Sequence, residues 1–428
     1  NYASTGDLMT GATLVLGNPV PGGSSDDWFR CDYFVNWFGN PMSTRIPDAH
    51  FITEMRYRGG KYVSVTPDFN PSAIHTDLWI GVRPGTDAAL ALAACRIIID
   101  EDLHDVQYII EQTDLPLLIR EDTRQFLRES DVVEGGRREC FAWWDGRKRA
   151  VVWSASSAQF EQDKRTLTLG PDDQVELEPR NARVTLLSGE TVKLSSAFTL
   201  LRRNLEDYDA KSAAQITGVH ANVIRRFARE FGQAKSAAIY MGAAAGKILH
   251  GELVQRATIL MCALTGNNGR AGGGWQEMTF WELDGKMLSA FHDFPTDLVP
   301  GDMNTIYPAL MGMGAQQAAS PAFISGSFMM LMNGGTYADQ LKPEYNDRTL
   351  PRTPEAYLKE ALAKGEIHNV PGEELGNPDV VFNMFGNPFR HRRMGERLGK
   401  TLFAKAKLVV DLTLRMDDTA RHSDILLP

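Results

Sequence analysis

Twice along this chain, short apolar runs alternate with helix-spaced stretches, the arrangement expected of parallel strands covered by helices. In the first stretch, Tyr33 to Phe38 predicts a strand that ends in the turn Gly39-Asn40-Pro41. A helix-patterned segment follows, then a strand from Tyr62 to Thr66 that stops at Pro67-Asp68. A third short strand around Leu78 to Val82 runs into Pro84-Gly85-Thr86-Asp87. Ala88 to about Ile99 predicts a helix, with Thr86 or Asp87 as its N-cap. Between about Cys140 and Leu194 the pattern changes to alternating Val, Thr and Leu, with hairpin turns at Asp145-Gly146 and Ser188-Gly189. That predicts a small antiparallel excursion. A helical stretch from Ala213 to Phe231 leads into a strand at Ala237 to Met241, the glycine-rich Gly242-Ala-Ala-Ala-Gly-Lys247, and a helix-spaced segment from His250 to Leu264. Gly266 to Gly274 is too rich in glycine for regular structure. Two further strands, Val380 to Met384 and Leu408 to Leu412, each run into polar loops.

Composition narrows the class without naming it. The 428 residues have room for two or three domains, and 43% hydrophobic against 23% charged is an ordinary globular mix. The net charge of -9, with Lys and Arg scattered, argues against a nucleic-acid-binding face. No apolar run approaches the ~20 residues that span a bilayer, so no transmembrane segment is expected. Cys31, Cys95, Cys140 and Cys262 are far apart and form no CxxC pair. They are expected to be buried free thiols rather than ligands of zinc or an iron–sulfur cluster.

The loops after the strands carry the candidate chemistry. In open parallel sheets, ligands sit beyond the carboxyl ends of the strands, where loops and helix N-termini present backbone N–H groups. Gly39-Asn40 can bring backbone close to a diphosphate, and Asp68 stands where an acid can accept hydrogen bonds from a ribose or a guanine edge. Gly85-Thr86-Asp87 opens a helix, so its amides and hydroxyl could hold a phosphate. Phe385-Gly386-Asn387-Pro388 repeats the Gly-Asn-Pro turn of Gly39-Asn40-Pro41 after another strand, which suggests two related dinucleotide sites. Each loop alone is also a common turn sequence. No GxGxxG follows a strand, and Gly242 to Lys247 fails as an ATP-binding phosphate loop. Three residues separate its glycines rather than four, and Ile248 replaces the Ser or Thr that binds magnesium. The expectation is an α/β protein with two dinucleotide-binding-type parallel-sheet domains. The first covers 1–235, with the β excursion at about 138–198, and the second covers 236–428.

Several of these loops, in order, resemble one family. Asp48-Ala49-His50-Phe51, Thr66-Pro67-Asp68-Phe69, Pro84-Gly85-Thr86-Asp87-Ala88-Ala89 and Glu111-Gln-Thr-Asp-Leu-Pro-Leu-Leu118 are similar to segments of type II molybdenum enzymes of the dimethyl sulfoxide reductase superfamily. So is the closing Asp411 to Pro428 segment, with Thr419 and Ser423-Asp424-Ile425. Within the group, Asp68-Phe-Asn-Pro71 and Lys247-Ile-Leu-His-Gly-Glu252 look most like ethylbenzene dehydrogenase. The resemblance implies a dimethyl sulfoxide reductase-like fold and the catalytic alpha subunit of a molybdenum oxidoreductase. Its cofactor would be molybdenum bis(molybdopterin guanine dinucleotide), lining Trp37, Gly39, Asn40, Thr66, Asp68, Gly85, Thr86, Asp87, Gly242, Lys247, His250, Phe385, Gly386, Asn387, Thr419 and Asp424.

The implied reaction is oxygen or hydroxyl transfer at molybdenum coupled to two electrons, with anaerobic hydroxylation of a hydrocarbon or steroid side chain as one outcome. Nitrate, selenate, chlorate or sulfoxide reduction is the alternative, and a non-catalytic subunit that kept the fold is another. A [4Fe-4S] cluster would sit on an N-terminal domain and a further cofactor domain would follow, both outside this sequence. Implied partners are an iron–sulfur beta subunit and a haem b gamma subunit. The implied location is the periplasm, or the cytoplasm with membrane attachment through partners.

Two residues stand out for the reaction itself. Asp7, in Gly6-Asp7-Leu8, resembles the segment where type II enzymes supply an aspartate to molybdenum, and a carboxylate is a hard oxygen donor suited to that metal. Read without the resemblance, it is an Asp capping a turn. Its neighbours lack the aromatic and proline residues of nitrate reductase, which leaves the substrate open. Lys247 follows a strand and a glycine-rich loop, where a lysine near the metal could stabilise negative charge. It could equally bind a cofactor phosphate or be solvated. His250 reads as a structural histidine or a cofactor contact, His50 as structural, and Met329 to Met332 as core.

Overall fold

The computed structural model describes residues 10–16, 23–154, 174–248, 250–277, 351–364, 378–391 and 395–428. Its centre is a five-stranded sheet in the order β10-β9-β1-β2-β3. The strands are β1 (Tyr33–Trp37), β2 (Lys61–Val65), β3 (Leu78–Ile80), β9 (Ala237–Met241) and β10 (Gly274–Gln276), with every pairing parallel. All five residues of β1 and of β9 are buried. A parallel strand covered on both faces reads as a continuous apolar run, which is why these two were plain in the sequence.

Alternate residues of β1 face different layers. Tyr33, Val35 and Trp37 join the main core with the helices Asp87–Asp100, Ala221–Gln233 and Gly251–Leu264. Phe34 points the other way, into a cluster with Trp28, Ile52, Met55, Tyr62 and Tyr240 under the helix Ile46–Tyr57. Small residues at Ala91, Ala94 and Cys95 let the helix Asp87–Asp100 approach Gly251–Leu264, and Cys95 lies 3.6 Å from the Ala257 carbonyl. Truncating a side chain such as Phe227 in this core to Ala should cost about 3–5 kcal/mol.

Two expectations are corrected here. The division at 235/236 does not separate two sheets, because β9 pairs with β1 along its whole length and β10 extends the same sheet. Residues 237–276 therefore complete the first α/β unit. The helical stretch expected from Ala213 to Phe231 is two helices, Ala210–Thr217 and Ala221–Gln233. Gly218, at φ +76°, ends the first in a left-handed cap.

The β excursion is present as expected. A two-stranded antiparallel pair joins β5 (Ala142–Asp145) to β6 (Ala150–Trp153). The turn after Asp145 is held by its carboxylate, which accepts from the Arg147 and Lys148 amides at 3.0 and 2.8 Å. Beside it, β4 (Leu118–Arg120), β7 (Arg183–Thr185) and β8 (Thr191–Ser196) form an antiparallel sheet in the order β4-β8-β7 around Leu118, Leu127, Trp144 and Leu194. A second, smaller parallel sheet, β11-β12-β13, is built from Val380–Met384, Leu408–Leu412 and Ile425–Leu427. All four cysteines are free and buried. Burial pushes the Cys31 thiol up to about 12, far from a reactive thiolate. Among the described residues, no helix is long and apolar enough to cross a membrane. Met329 to Met332 lie outside the described residues.

Candidate functional site

The strand order of the large sheet reverses direction between β1 and β9. From β1 the chain moves outward to β2 and β3, and from β9 it moves the opposite way to β10. Such a switch point opens a crevice at the carboxyl ends of the two strands. The loops that emerge there are Phe38-Gly39-Asn40 and Gly242 to Lys247, two of the segments singled out from the sequence.

They meet through backbone. The Gly242 amide donates to the Trp37 carbonyl at 2.6 Å. A Cβ on Gly242 would lie 2.5 Å from the Phe38 carbonyl carbon and oxygen and 2.7 Å from the Gly39 nitrogen. A Cβ on Gly39 would collide with the Asn36 Oδ1. Only glycine lets the two loops close so tightly. Phe38 sits at φ +62°, a left-handed conformation that costs a non-glycine residue about 1–2 kcal/mol. Asn36 offsets that cost by donating from Nδ2 to the Gly39 carbonyl at 2.9 Å and to Ser64 Oγ at 3.3 Å.

The small sheet repeats this construction. Phe385 is left-handed at φ +52°, and Asn383 Nδ2 donates to the Gly386 carbonyl at 2.6 Å. Asn383 also donates to Asp411 Oδ1 at 2.7 Å, and Asp411 holds the register position that Ser64 holds in the large sheet. Asn40 Oδ1 accepts from Ser72 Oγ at 2.7 Å, and Asn387 Oδ1 accepts from Thr419 Oγ1 at 2.8 Å. Asp77 Oδ2 accepts from the Tyr62 amide at 2.8 Å, as Asp424 Oδ2 does from the Val409 amide at 2.8 Å. One strand–loop–strand module thus occurs twice, with equivalent hydrogen bonds in which Asp411 takes the place of Ser64 and Thr419 that of Ser72. Asn36-Trp-Phe-Gly-Asn-Pro41 and Asn383-Met-Phe-Gly-Asn-Pro388 carried a longer repeat than the Gly-Asn-Pro noticed in the sequence, and Asn36 and Asn383 were missed.

The other expected residues divide into three groups. Thr66, Asp68, Gly85 and Thr86 lie at the carboxyl ends of β2 and β3, beside the crevice. Asp68 is exposed, and the Thr66 hydroxyl donates to its carbonyl at 2.9 Å. Phe69 and Trp79 form an edge-on aromatic pair beside it, 5.2 Å apart and partly open to solvent. Lys247 is half-buried at the end of the short 3-10 helix Ala243–Lys247. His250 is exposed at φ +57°, its Nδ1 3.5 Å from Glu252 Oε1.

Trp37 and Asp87 face inward instead. The Trp37 indole is fully buried and donates to Asp87 Oδ1 at 2.9 Å, which ties the start of the helix Asp87–Asp100 to β1. Burial pushes the Asp87 carboxyl above its ordinary value, and the bond from Trp37 pulls the other way. Thr86 stands at the N-cap position, but its hydroxyl donates back to the Arg83 carbonyl at 2.7 Å instead of capping. Asp424 is a correction. It lies at the amino end of β13, bound to the Val409 amide, at the opposite end of the small sheet from Phe385-Gly386-Asn387. Thr419 is on the expected side. Asp7 lies outside the described residues.

Residues 2–428 match the family described as Molybdopterin oxidoreductase. The chain belongs to the molybdopterin oxidoreductase family. It is 34% identical over 443 residues to the alpha subunit of perchlorate reductase from Dechloromonas aromatica (strain RCB), covering 99% of this chain and 44% of the relative. It is 32% identical to the alpha subunit of dimethylsulfide dehydrogenase from Rhodovulum sulfidophilum, over 100% of this chain and 44% of the relative. The respiratory nitrate reductase alpha subunit of Haloferax mediterranei is 33% identical over 99% of this chain and 40% of its own length. The chain thus spans less than half the length of these relatives.

Members of this family hold molybdenum bis(molybdopterin guanine dinucleotide) as their cofactor. The residues fit that group. Two dinucleotides call for two backbone-lined loops, and the structure builds the same left-handed Phe-Gly-Asn loop twice. Among the described residues no cluster of three or more His, Cys, Asp or Glu could hold a metal ion.

Proposed function

We propose that the full-length protein transfers an oxygen atom between molybdenum and a small molecule, with a small oxyanion as its substrate class. The observation that carries the reading is the doubled loop module beside a switch point where Lys247 is half-buried. Support for the oxyanion comes from relatives named for perchlorate and nitrate, which align over almost all of this chain. A second reading, hydroxylation of a hydrocarbon in the manner of ethylbenzene dehydrogenase, rests on the likeness of Asp68-Phe-Asn-Pro71 and Lys247-Ile-Leu-His-Gly-Glu252.

When bound, the molybdenum cofactor supplies the two-electron oxygen-transfer chemistry. The chain supplies position and charge. Phe38-Gly39-Asn40 and Phe385-Gly386-Asn387 hold the dinucleotides through backbone and side-chain amides. Asp7 would give the metal a carboxylate oxygen. Lys247 would place an ammonium at the crevice, where it would draw in an anion and balance negative charge beside the bound cofactor. Relatives named as alpha subunits support an iron–sulfur beta subunit as electron partner. A haem b gamma subunit and a periplasmic location belong to the same reading.

Lys247→Ala should lower turnover with oxyanion substrate by about 10²-fold while molybdenum content stays near normal. Unchanged turnover would return Lys247 to a solvated or structural role. Side-by-side turnover with perchlorate, nitrate and ethylbenzene decides between the two readings: oxidation of the hydrocarbon without oxyanion reduction would overturn the first.

A further inference from the structure

We propose that Glu277 and Gln255 form a buried clamp that seats the helix Thr10–Leu16, which begins three residues after Asp7 in the chain, an inference whose bearing on the metal rests on the reading of Asp7 as the molybdenum ligand. Glu277 is the residue directly after β10, at the same carboxyl edge of the sheet as Gly39 and Gly242. Trp275 and Glu277, two apart on the chain, both bond the helix Gly251–Leu264. The Trp275 indole donates to Thr258 Oγ1 at 2.9 Å, and Glu277 Oε2 accepts from Gln255 Nε2 at 3.2 Å, one turn earlier. The strand thereby reads one face of the helix with two bonds.

The orientation of the Gln255 amide is decided by its other partner. The Gly11 amide lies 2.7 Å from Gln255 Oε1, and a backbone N–H can only donate. Oε1 must therefore face Gly11, and Nε2 must face Glu277. Gly11 is itself seated by contact: a Cβ there would lie 2.5 Å from the Glu252 carbonyl oxygen and 2.6 Å from Gln255 Cβ. Ala12, next in the helix Thr10–Leu16, is fully buried in the main core. The first turn of this helix is thus bound at Gly11 by one side-chain amide that Glu277 holds in place.

Glu277 is about 1% exposed and Gln255 is fully buried, so neither can turn to water if the pair is broken. Among the described residues, Glu277 Oε1 has no hydrogen-bond partner. A carboxylate in this position would be an unpaired buried charge. Tyr240 on β9 is the titratable neighbour that the charge of Glu277 reaches, and Arg45 and Asp48, paired with each other at 2.6 Å, act on the same Tyr240 hydroxyl. Burial accordingly holds the Glu277 carboxyl well above the ordinary range, and the clamp works with a neutral acid. A neutral acid still offers its carbonyl oxygen to Gln255 Nε2. Glutamine would offer the same, and alanine would not.

Hydrogen exchange in the peptide spanning 10–16 of the full-length subunit tests the clamp without reference to turnover. Glu277→Ala should speed exchange at Gly11 about tenfold, the loss expected of one buried hydrogen bond. Glu277→Gln should keep wild-type protection. The folded-state value of Glu277 is raised, so its contribution is full below the usual carboxylate range and is lost as pH rises through the raised value. Wild-type protection of 10–16 should therefore weaken at alkaline pH, after correction for intrinsic exchange, and that of Glu277→Gln should not. The molybdenum EPR signal should change in Glu277→Ala and be restored in Glu277→Gln. Unchanged exchange in Glu277→Ala would overturn the clamp. Faster exchange with an unchanged EPR signal, together with a silent Asp7→Asn variant, would keep the clamp and overturn the ligand reading of Asp7.

Discussion

Replacing Asp7 with Asn should abolish turnover, by about 10³-fold or more, while the pterin loops stay occupied. The substitution keeps size and shape and removes only the negative charge, so it separates a metal ligand from a turn residue. A carboxylate is a hard, anionic oxygen donor that can bind through one or both oxygens, and a neutral amide matches neither property. Asp7→Asn should also shift the molybdenum EPR signal, since a ligand change alters the metal directly. Wild-type turnover with an unchanged spectrum would make Asp7 a turn residue and send the search for a protein ligand elsewhere.

The second large effect is expected at Gly242. Adding one methyl there puts a carbon 2.5 Å from the Phe38 carbonyl and 2.7 Å from the Gly39 nitrogen, both backbone atoms that cannot rotate away. Gly242→Ala must therefore part the loops of β1 and β9 at the switch point, at a cost of about 1–3 kcal/mol from overpacking. Molybdenum and nucleotide content of the purified variant should fall at least tenfold. Gly386→Ala is the comparison. No atom lies closer than 3.7 Å to a Cβ at Gly386, so that substitution should fold without parting the loop. Full cofactor content in Gly242→Ala would show that the close approach of the two loops is not what holds the dinucleotide.

Much of the frame was legible because the buried parallel strands have a distinctive pattern. Ala237–Met241, Val380–Met384 and Leu408–Leu412 were read with the bounds the structure has, as short, mainly apolar runs closed by polar loops, although Val380, Phe382 and Met384 are exposed. β10 was not legible. It has three residues, begins on Gly274 at φ +93°, and sits at the end of a run of glycines that reads as loop. The domain boundary failed for a related reason. Nothing local in Ala237–Met241 says that its neighbour is Tyr33–Trp37, some two hundred positions earlier, so chain order suggested a second domain where space makes one sheet.

The candidate site was legible where a loop follows a strand, as at Gly39-Asn40 and Gly386-Asn387. It was illegible where a side chain's direction decides its role. Asp68 and Asp424 are both acids in matched loops, yet Asp68 is open at the crevice while Asp424 is bound to a strand amide at the far edge. Trp37 and Asp87 looked like cofactor contacts because they flank the right loops, and their bond to each other appears only in three dimensions. Glu277 gave no signal at all, since an acid after a tryptophan and a glutamine reads as surface.

The central claim is that this chain supplies two equivalent loops for two guanine dinucleotides on one molybdenum. Measuring molybdenum and acid-released guanosine monophosphate in the same sample of purified full-length subunit tests it most directly. Two nucleotides per molybdenum are expected, falling toward one when Asn383→Ala removes the amide that shapes Phe385-Gly386-Asn387. A subunit without stoichiometric molybdenum, or one with a single nucleotide per metal before any substitution, would contradict it.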